Sequence, residues 1–257
     1  MLQSLCKSKE VCVLKILIIR PIISEREDAL EEAIFRPFAA AGTELTAKRI
    51  SYGPSSIENE YDLLLSAPEV LRLAMEGEKQ GFDGAIINCF VNPALEAVRE
   101  AVRYPVAGAG EASINLALCL GRKIGIITIM PNTLPLVKKQ NQDLINCGRI
   151  VSVRSIGVPV LTIQSDDQIF EKLHEAATKS ILEDGADTIV LGCTGFGGMA
   201  EKLSEKLHEN NLPAPVVDPA GAPLKIVEAM ISCKLSHSKI AYMEPSEKLR
   251  TWPNAKY

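Results

Sequence analysis

Along most of the chain, short aliphatic runs alternate with longer stretches in which apolar residues recur every three or four positions. The first run, Lys15-Ile-Leu-Ile-Ile19, predicts a strand, and Ile23–Ala41, rich in Ala and Glu, predicts a helix. Glu44–Ile50 reads as a second strand, Ala67–Gln80 as a helix ended by Gly81, and Gly84-Ala-Ile-Ile-Asn88 as a third strand. A helix is expected over Asn92–Ala101, with Pro93 near its start, a favoured place for proline. Pro105-Val-Ala is a short strand and Glu111–Leu120 a helix. The alternation then begins again. Strands are expected at Lys123–Thr128, Arg149–Val153, Thr188–Leu191 and Pro215–Val217, and helices at Thr133–Cys147, Asp167–Asp184, Met199–Asn210 and Ala222–Cys233. This pattern defines an α/β protein with parallel sheets covered on both faces.

The second half repeats the first. Gly81 and Gly185, Asp83 and Asp187, and Cys89 and Cys193 are each 104 residues apart. Lys15 and Lys123 are 108 apart, and Pro105 and Pro215 are 110 apart, a drift that changes in loop length would produce. Two similar α/β lobes packed around an approximate two-fold axis are therefore expected, with the two thiols facing each other across one cleft. In open α/β sheets ligands bind beyond the carboxyl ends of the strands. Cys89 and Cys193 sit there, at the end of the same strand in each half. A single cysteine in such a place is most simply a small buried hydrophobe. Two at matched positions of a repeat, each followed by turn residues, point to chemistry.

Two thiols facing one cleft suit the inversion of a stereocentre beside a carbonyl. One face must lose a proton and the other must gain one, and a thiol titrates near enough to neutrality to do either. Both cysteines precede predicted helices, whose N-termini would stabilise a thiolate. Gly195, Gly197 and Gly198 would turn backbone N–H groups inward to hold an enolate oxygen.

Composition narrows the alternatives. The chain has 257 residues and a net charge of −4, without the basic face of a nucleic-acid binder, and aromatics at 5% are too sparse for base-stacking platforms. No apolar segment is long enough to span a bilayer. Lys7 and Lys9 precede the apolar run Val11–Ile19, but no small-residue cleavage site follows, so a cytoplasmic location is expected. Seven cysteines without a Cys-x-x-Cys pair, with three histidines, suit neither a disulfide framework nor a metal site. Cys6, Cys12, Cys119, Cys147 and Cys233 are read as inert, and His174, His208 and His237 as surface residues. No metal and no cofactor are expected. The expected partner is a small-molecule substrate rather than a nucleic acid or a membrane, with assembly into a homo-oligomer.

Six short segments, in this order, carry a resemblance: Tyr52-Gly-Pro-Ser-Ser-Ile-Glu, Asn88-Cys-Phe-Val-Asn-Pro, Gly108-Ala-Gly-Glu-Ala, Ile127-Thr-Ile-Met-Pro-Asn-Thr, Arg154-Ser-Ile-Gly-Val-Pro-Val-Leu and Val190-Leu-Gly-Cys-Thr-Gly. From about Leu14 to Cys233 the chain resembles the Asp/Glu/hydantoin racemase superfamily, closest to its hydantoin racemase branch. The resemblance implies two pseudo-symmetric doubly wound lobes with the cleft between them, and catalysis by Cys89 and Cys193 without metal or pyridoxal phosphate. It implies a pocket lined by Phe90, Thr128, Thr194 and Gly195, with Ser55 a further candidate. It also implies a first lobe of residues 14–120 completed by 222–233, a second lobe of 121–221, and a tail of 234–257 without a readable motif. Two positions depart from the family pattern. Hydantoin racemases carry an Asn-Pro-Asn-Thr-like turn after the first strand, where this chain has Arg20-Pro-Ile-Ile-Ser24, and commonly an Asp where it has Asn92. Arg20 could bind an anionic group that a plain hydantoin lacks. Glutamate racemases place an acidic residue and a His where this chain has Arg20 and Gly195. A 5-substituted hydantoin is thus the expected substrate. The alternatives are an acidic amino acid, a superfamily decarboxylase, which needs only one cysteine, or a two-lobed protein that binds without turnover.

Overall fold

The computed structural model describes residues 13–24, 27–162 and 167–250. The readings of Cys6, Cys12, Lys7 and Lys9 fall outside them. Two four-stranded parallel sheets form the frame. The first holds β1 (Leu14–Arg20), β2 (Thr43–Arg49), β3 (Gly84–Ile87) and β4 (Val106–Gly108) in the order β2-β1-β3-β4. The second holds β5 (Ile124–Thr128), β6 (Ile150–Ser155), β7 (Thr188–Leu191) and β8 (Val216–Val217) in the order β6-β5-β7-β8. Central strands are buried on both faces, as a parallel sheet requires: Ile16 to Ile19, and Ile124, Ile126 and Ile127, have no exposed surface.

The repeat seen in the sequence is a repeat of hydrogen bonds. Asp83 N–H donates to the Lys15 carbonyl at 2.8 Å, and Asp187 N–H to that of Lys123 at 2.8 Å. Their carboxylates accept in return from Lys15 N–H at 2.8 Å and Lys123 N–H at 3.0 Å. At the other end of the same strands, Asn88 N–H donates to Ile19 at 2.9 Å and Gly192 N–H to Ile127 at 2.7 Å. The matched aspartates therefore clamp the start of β1 and of β5, which fixes where each strand ends and so where each cysteine emerges.

The helices are α1 (Asp28–Phe35), α2 (Glu60–Lys79), α3 (Leu95–Ala101), α4 (Ala109–Leu120), α5 (Leu134–Gln140), α6 (Gln142–Asn146), α7 (Asp167–Leu182), α8 (Ala200–Glu209) and α9 (Gly221–Ser232). The last helix of each half crosses over. α9 packs on β3 and β4 of the first sheet, while α4 packs on β5, β7 and β8 of the second as well as on β4 and α9. One apolar cluster accordingly joins Ile16, Ile86 and Val227 with Ile124 and Val190.

Several boundaries differ from expectation. α2 starts seven residues earlier than expected and runs through Pro68, because the Asn59 side chain caps it by accepting from Asp62 N–H at 3.0 Å. The stretch expected as Ile23–Ala41 is helical from Asp28 and ends in a 3-10 turn at Arg36–Phe38. The expected Thr133–Cys147 helix is broken at Asn141, and the helix expected from Asn92 begins at Leu95. Asn92 and Ala94 both have left-handed backbones (φ 48° and 57°), so Pro93 lies in a turn. Asn92 Oδ1 instead accepts from Gly110 N–H at 3.0 Å and Glu111 N–H at 3.3 Å, capping α4 from a distance.

The segment after α9 binds the open edge of the first sheet. His237 Nε2 accepts the outward Val106 N–H of edge strand β4 at 2.8 Å. Lys239 Nζ donates to the carbonyls of Arg99, Glu100 and Val102 at 2.7, 3.1 and 2.7 Å, closing the C-terminus of α3. Tyr242 lies under Arg99, 5.5 Å from ring centre to guanidinium. His237 is thus no plain surface residue: burial and the nearby Arg99 and Lys239 charges hold its ring neutral, with a pKa pushed down to about 4.

Candidate active site

In each sheet, the strand order reverses beside the first strand, and the residues that matter lie at the carboxyl ends there. Arg20 ends β1 and Cys89 follows β3; their counterparts are Thr128 at the end of β5 and Cys193 after β7. All four line one cavity of about 360 Å³, together with Phe90, Thr194 and Gly195. The two strand ends touch: Thr194 Oγ1 donates to the Asn88 carbonyl at 3.4 Å, bridging the residue before one cysteine and the residue after the other. Ser55 is exposed and is not brought to this cavity; its neighbour Ile57 is.

The turn that carries Cys89 is fixed by close packing. A Cβ on Gly110 would meet the Phe90 carbonyl oxygen at 1.8 Å, so the loop after Cys89 and the start of α4 fit only with glycine there. On the other side Cys193 begins a 3-10 turn, Thr194–Phe196, and its sulfur accepts from Gly195 N–H at 3.4 Å.

Both thiols are held protonated at neutral pH. Burial pushes Cys89 up to about 11 against one favourable contact, the Val91 N–H. It pushes Cys193 up to about 12, opposed by the Gly195 N–H and reinforced by Cys89, Glu58 and Glu31. The expectation that a helix N-terminus stabilises a thiolate is corrected at Cys89, while at Cys193 a single N–H of the 3-10 turn meets the sulfur. No helix starts at Cys89, since α3 begins at Leu95 after the left-handed Ala94, and one N–H per sulfur does not offset desolvation. Gly197 and Gly198 also serve other ends. Gly197 N–H donates to the Thr194 carbonyl and Gly198 N–H to buried Asp218, while a Cβ on Gly197 would strike Ile34 at 2.7 Å.

Arg20 is 3% exposed and engaged by acids: Asp28 lies 2.5 Å and Glu31 3.6 Å from its guanidinium. Glu31 also accepts from Asn88 Nδ2 at 2.5 Å, which leaves Asn88 Oδ1 buried without a partner. Arg20 is thus the centre of a buried ionic network that ends on the residue before Cys89. Across the cavity the wall is made of hydroxyls. Thr128 Oγ1 lies 3.2 Å from the Gly192 carbonyl and 2.9 Å from Thr133 Oγ1, which lies 2.7 Å from the Met130 carbonyl. The two hydroxyl protons can fill only two of these three contacts, and each hydroxyl oxygen keeps an acceptor lone pair.

Glu31, Asn88, Thr133 and the rim residues Ile57, Val160 and Leu161 also line the cavity and were not singled out by sequence reasoning. Asn88 had a signal, since it stands where the repeat has Gly192. Glu31 had none, being one acid among several on α1.

Fold and site together define a class: a two-lobed parallel α/β protein presenting one cysteine from each sheet to a shared cavity. The sequence profile of the Asp/Glu/Hydantoin racemase family matches residues 27–226. A hydantoin racemase of Rhizobium meliloti is 33% identical over 213 residues, covering 82% of this chain and 86% of that protein. Among solved structures, an allantoin racemase from Klebsiella pneumoniae superposes with a TM-score of 0.86 at 30% identity, covering 93% of this chain and 96% of that one. An allantoin racemase from Pseudomonas fluorescens gives 0.85 at 28%, covering 93% and 100%. The chain belongs to the Asp/Glu/hydantoin racemase family, and its activity is that of a racemase.

Proposed function

We propose that Cys89 and Cys193 exchange a proton with opposite faces of a 5-substituted hydantoin or a close cyclic relative, without metal or cofactor. The observation that carries this reading is the pair itself, two equivalent strand-end thiols on one cavity. One cysteine, as thiolate, takes the C5 proton and becomes a thiol. The electron pair moves into the adjacent carbonyl as an enolate, and the opposite thiol returns a proton and becomes the thiolate. The roles are then reversed for the other enantiomer. The Gly195 N–H and the threonine hydroxyls are the polar groups that face the ring.

The charge around the cavity supports a neutral substrate. Asp28 and Glu31 already engage Arg20, and Glu58 and Glu31 both lie close enough to raise the Cys193 pKa. Among the described residues, three carboxylates to one cation disfavour an aspartate or glutamate side chain. Ring N–H groups would find acceptors at Thr128 and Thr133. The similar allantoin and hydantoin racemases agree in kind, because allantoin is itself a hydantoin substituted at C5. A cytoplasmic location and a homo-oligomer belong to the same proposal, supported by the free thiols of the described cysteines and by exposed Tyr61 and Leu64 on α2. Circular dichroism of L-5-benzylhydantoin, L-aspartate and L-glutamate incubated with the enzyme tests the substrate class. Loss of signal from the hydantoin is expected, and faster loss from either amino acid would refute the assignment.

A further inference from the structure

The cavity has an apolar mouth built from both halves. Ile57 comes from the loop between β2 and α2, and Val160 and Leu161 come from the 3-10 turn after β6, with Leu161 61% exposed. The first-sheet rim is pinned at several points. Ile23 N–H donates to the Pro54 carbonyl at 2.9 Å, Ser51 N–H to Glu69 at 2.9 Å, and Glu58 N–H to Asp62 at 3.2 Å. The second-sheet rim follows β6 as far as Val158, whose N–H bonds to the Ile129 carbonyl at 3.2 Å. Beyond it the turn closes on itself through Thr162 N–H and Oγ1 to the Pro159 carbonyl, at 3.1 and 2.8 Å. Among the described residues, one bond then crosses the mouth: Val160 N–H donates to Glu58 Oε1 at 3.2 Å, joining residues 102 apart in the chain. The same oxygen lies 3.4 Å from Ser56 Oγ.

We infer that Glu58 is a positioning residue: its carboxylate latches the Val160–Thr162 turn across the cavity mouth, so that Ile57, Val160 and Leu161 close on the substituent of the substrate. The turn is an apolar flap whose peptide N–H needs an acceptor, and Glu58 is an acceptor whose backbone is tied to the capped start of α2. The latch grips the part of the substrate that does not react, so it governs binding and size preference rather than the proton transfers. This rests on the reading of the cavity as a hydantoin racemase site.

The test compares wild type with Glu58→Gln and Glu58→Ala, in two measurements. The first is amide hydrogen exchange of peptides covering 156–162 in the ligand-free protein. Val160 should exchange faster in Glu58→Ala and near the wild-type rate in Glu58→Gln, which keeps an acceptor oxygen. The second is racemisation of 5-methyl- and 5-benzylhydantoin. Loss of one hydrogen bond to a charged group predicts that Glu58→Ala raises KM for the benzyl compound about tenfold. The rise for the methyl compound should be smaller, kcat should stay within about threefold, and Glu58→Gln should restore most of the KM. Unchanged exchange at Val160 in Glu58→Ala overturns the latch, as does a fall in kcat with KM unmoved, or a Gln variant as impaired in KM as the Ala variant. If wild type racemises neither hydantoin, the substrate reading fails, and the exchange measurement still decides on the latch.

Discussion

The two halves of the molecule share a skeleton and differ at the wall of the cavity. In both, an aspartate clamps the start of the first strand, a matched peptide bond closes its end, and a cysteine follows the third strand with the N–H two residues later turned to its sulfur. Before Cys89, however, stands Asn88, tied through Glu31 to Arg20; before Cys193 stands Gly192, whose carbonyl meets Thr128. A side chain at 192 has no room, since a Cβ there would lie 2.8 Å from Ile126 and 2.9 Å from the Ile127 carbonyl. Duplication thus preserved what places the thiols and released what surrounds them. One wall is ionic and internally paired, with acids in excess, and the other is made of hydroxyls; under the two-thiol proposal an asymmetric substrate would be held in one orientation while its two faces meet equivalent acids.

If the shared skeleton carries the chemistry, removing either thiol should be the most damaging change. Cys89→Ala and Cys193→Ala should each lower kcat for racemisation by roughly 10²–10⁴-fold, the usual contribution of a general acid or base. Polarimetry would check this, and a variant at the wild-type rate would end the two-thiol reading.

The equivalence should also appear in the pH profile. With both thiols pushed up, to about 11 and about 12, the protonated forms dominate at neutrality. Below the lower value the thiolate fraction rises about tenfold per pH unit, so kcat/KM should climb steeply from pH 7 towards 10. A rate that is flat from pH 6 upward would mean that a thiolate already exists at neutrality.

The unlike walls predict a different pattern. Arg20→Ala leaves Glu31 buried without its cation, while Asp28, 41% exposed, can turn to water. The cost should sit near the low end for a broken buried pair, about 3 kcal/mol, or a Tm lower by roughly 10 °C. Assayed well below that temperature, kcat/KM for a hydantoin should fall less than about tenfold. A larger fall with an unchanged Tm would instead make Arg20 a ligand for a substrate anion.

The smallest effect concerns the segment after α9, which has no counterpart in the other half. His237→Ala should cost about 1 kcal/mol, one hydrogen bond, and speed amide exchange at Val106. In the wild type the folded ring binds its proton less readily than the unfolded one. Its contribution to stability is therefore whole above pH 6.5 and declines as the pH falls towards about 4. Stability of the wild type and of His237→Ala should converge across that window in urea titrations.

The sequence carried the repeat because the repeated contacts are local in pattern: Gly, Asp, an apolar strand and Cys at constant spacing. It also carried the pocket residues at strand ends, Arg20, Phe90, Thr128, Thr194 and Gly195, which inherit their places from the sheets. What stayed hidden depends on partners far apart in the chain. Ser55 drew notice in the segment whose useful residues are Ile57 and Glu58. Glu31 reaches Asn88 across 57 residues, and Val160 reaches Glu58 across 102. The start of α2 was set by the Asn59 cap and overrode Pro68, and the raised thiols reflect burial that no neighbour in sequence reveals.

The most direct test of the two-thiol claim follows deuterium rather than net racemisation. Each enantiomer of 5-benzylhydantoin is incubated separately in D₂O with Cys89→Ala and Cys193→Ala, and C5 deuteration is read by NMR. The wild type should label both enantiomers with loss of optical purity. Each variant should label one enantiomer with its configuration retained, and the two variants should choose opposite enantiomers. Labelling of the same enantiomer by both variants, or undiminished racemisation by either, would contradict the claim that the two strand-end cysteines serve opposite faces of one carbon.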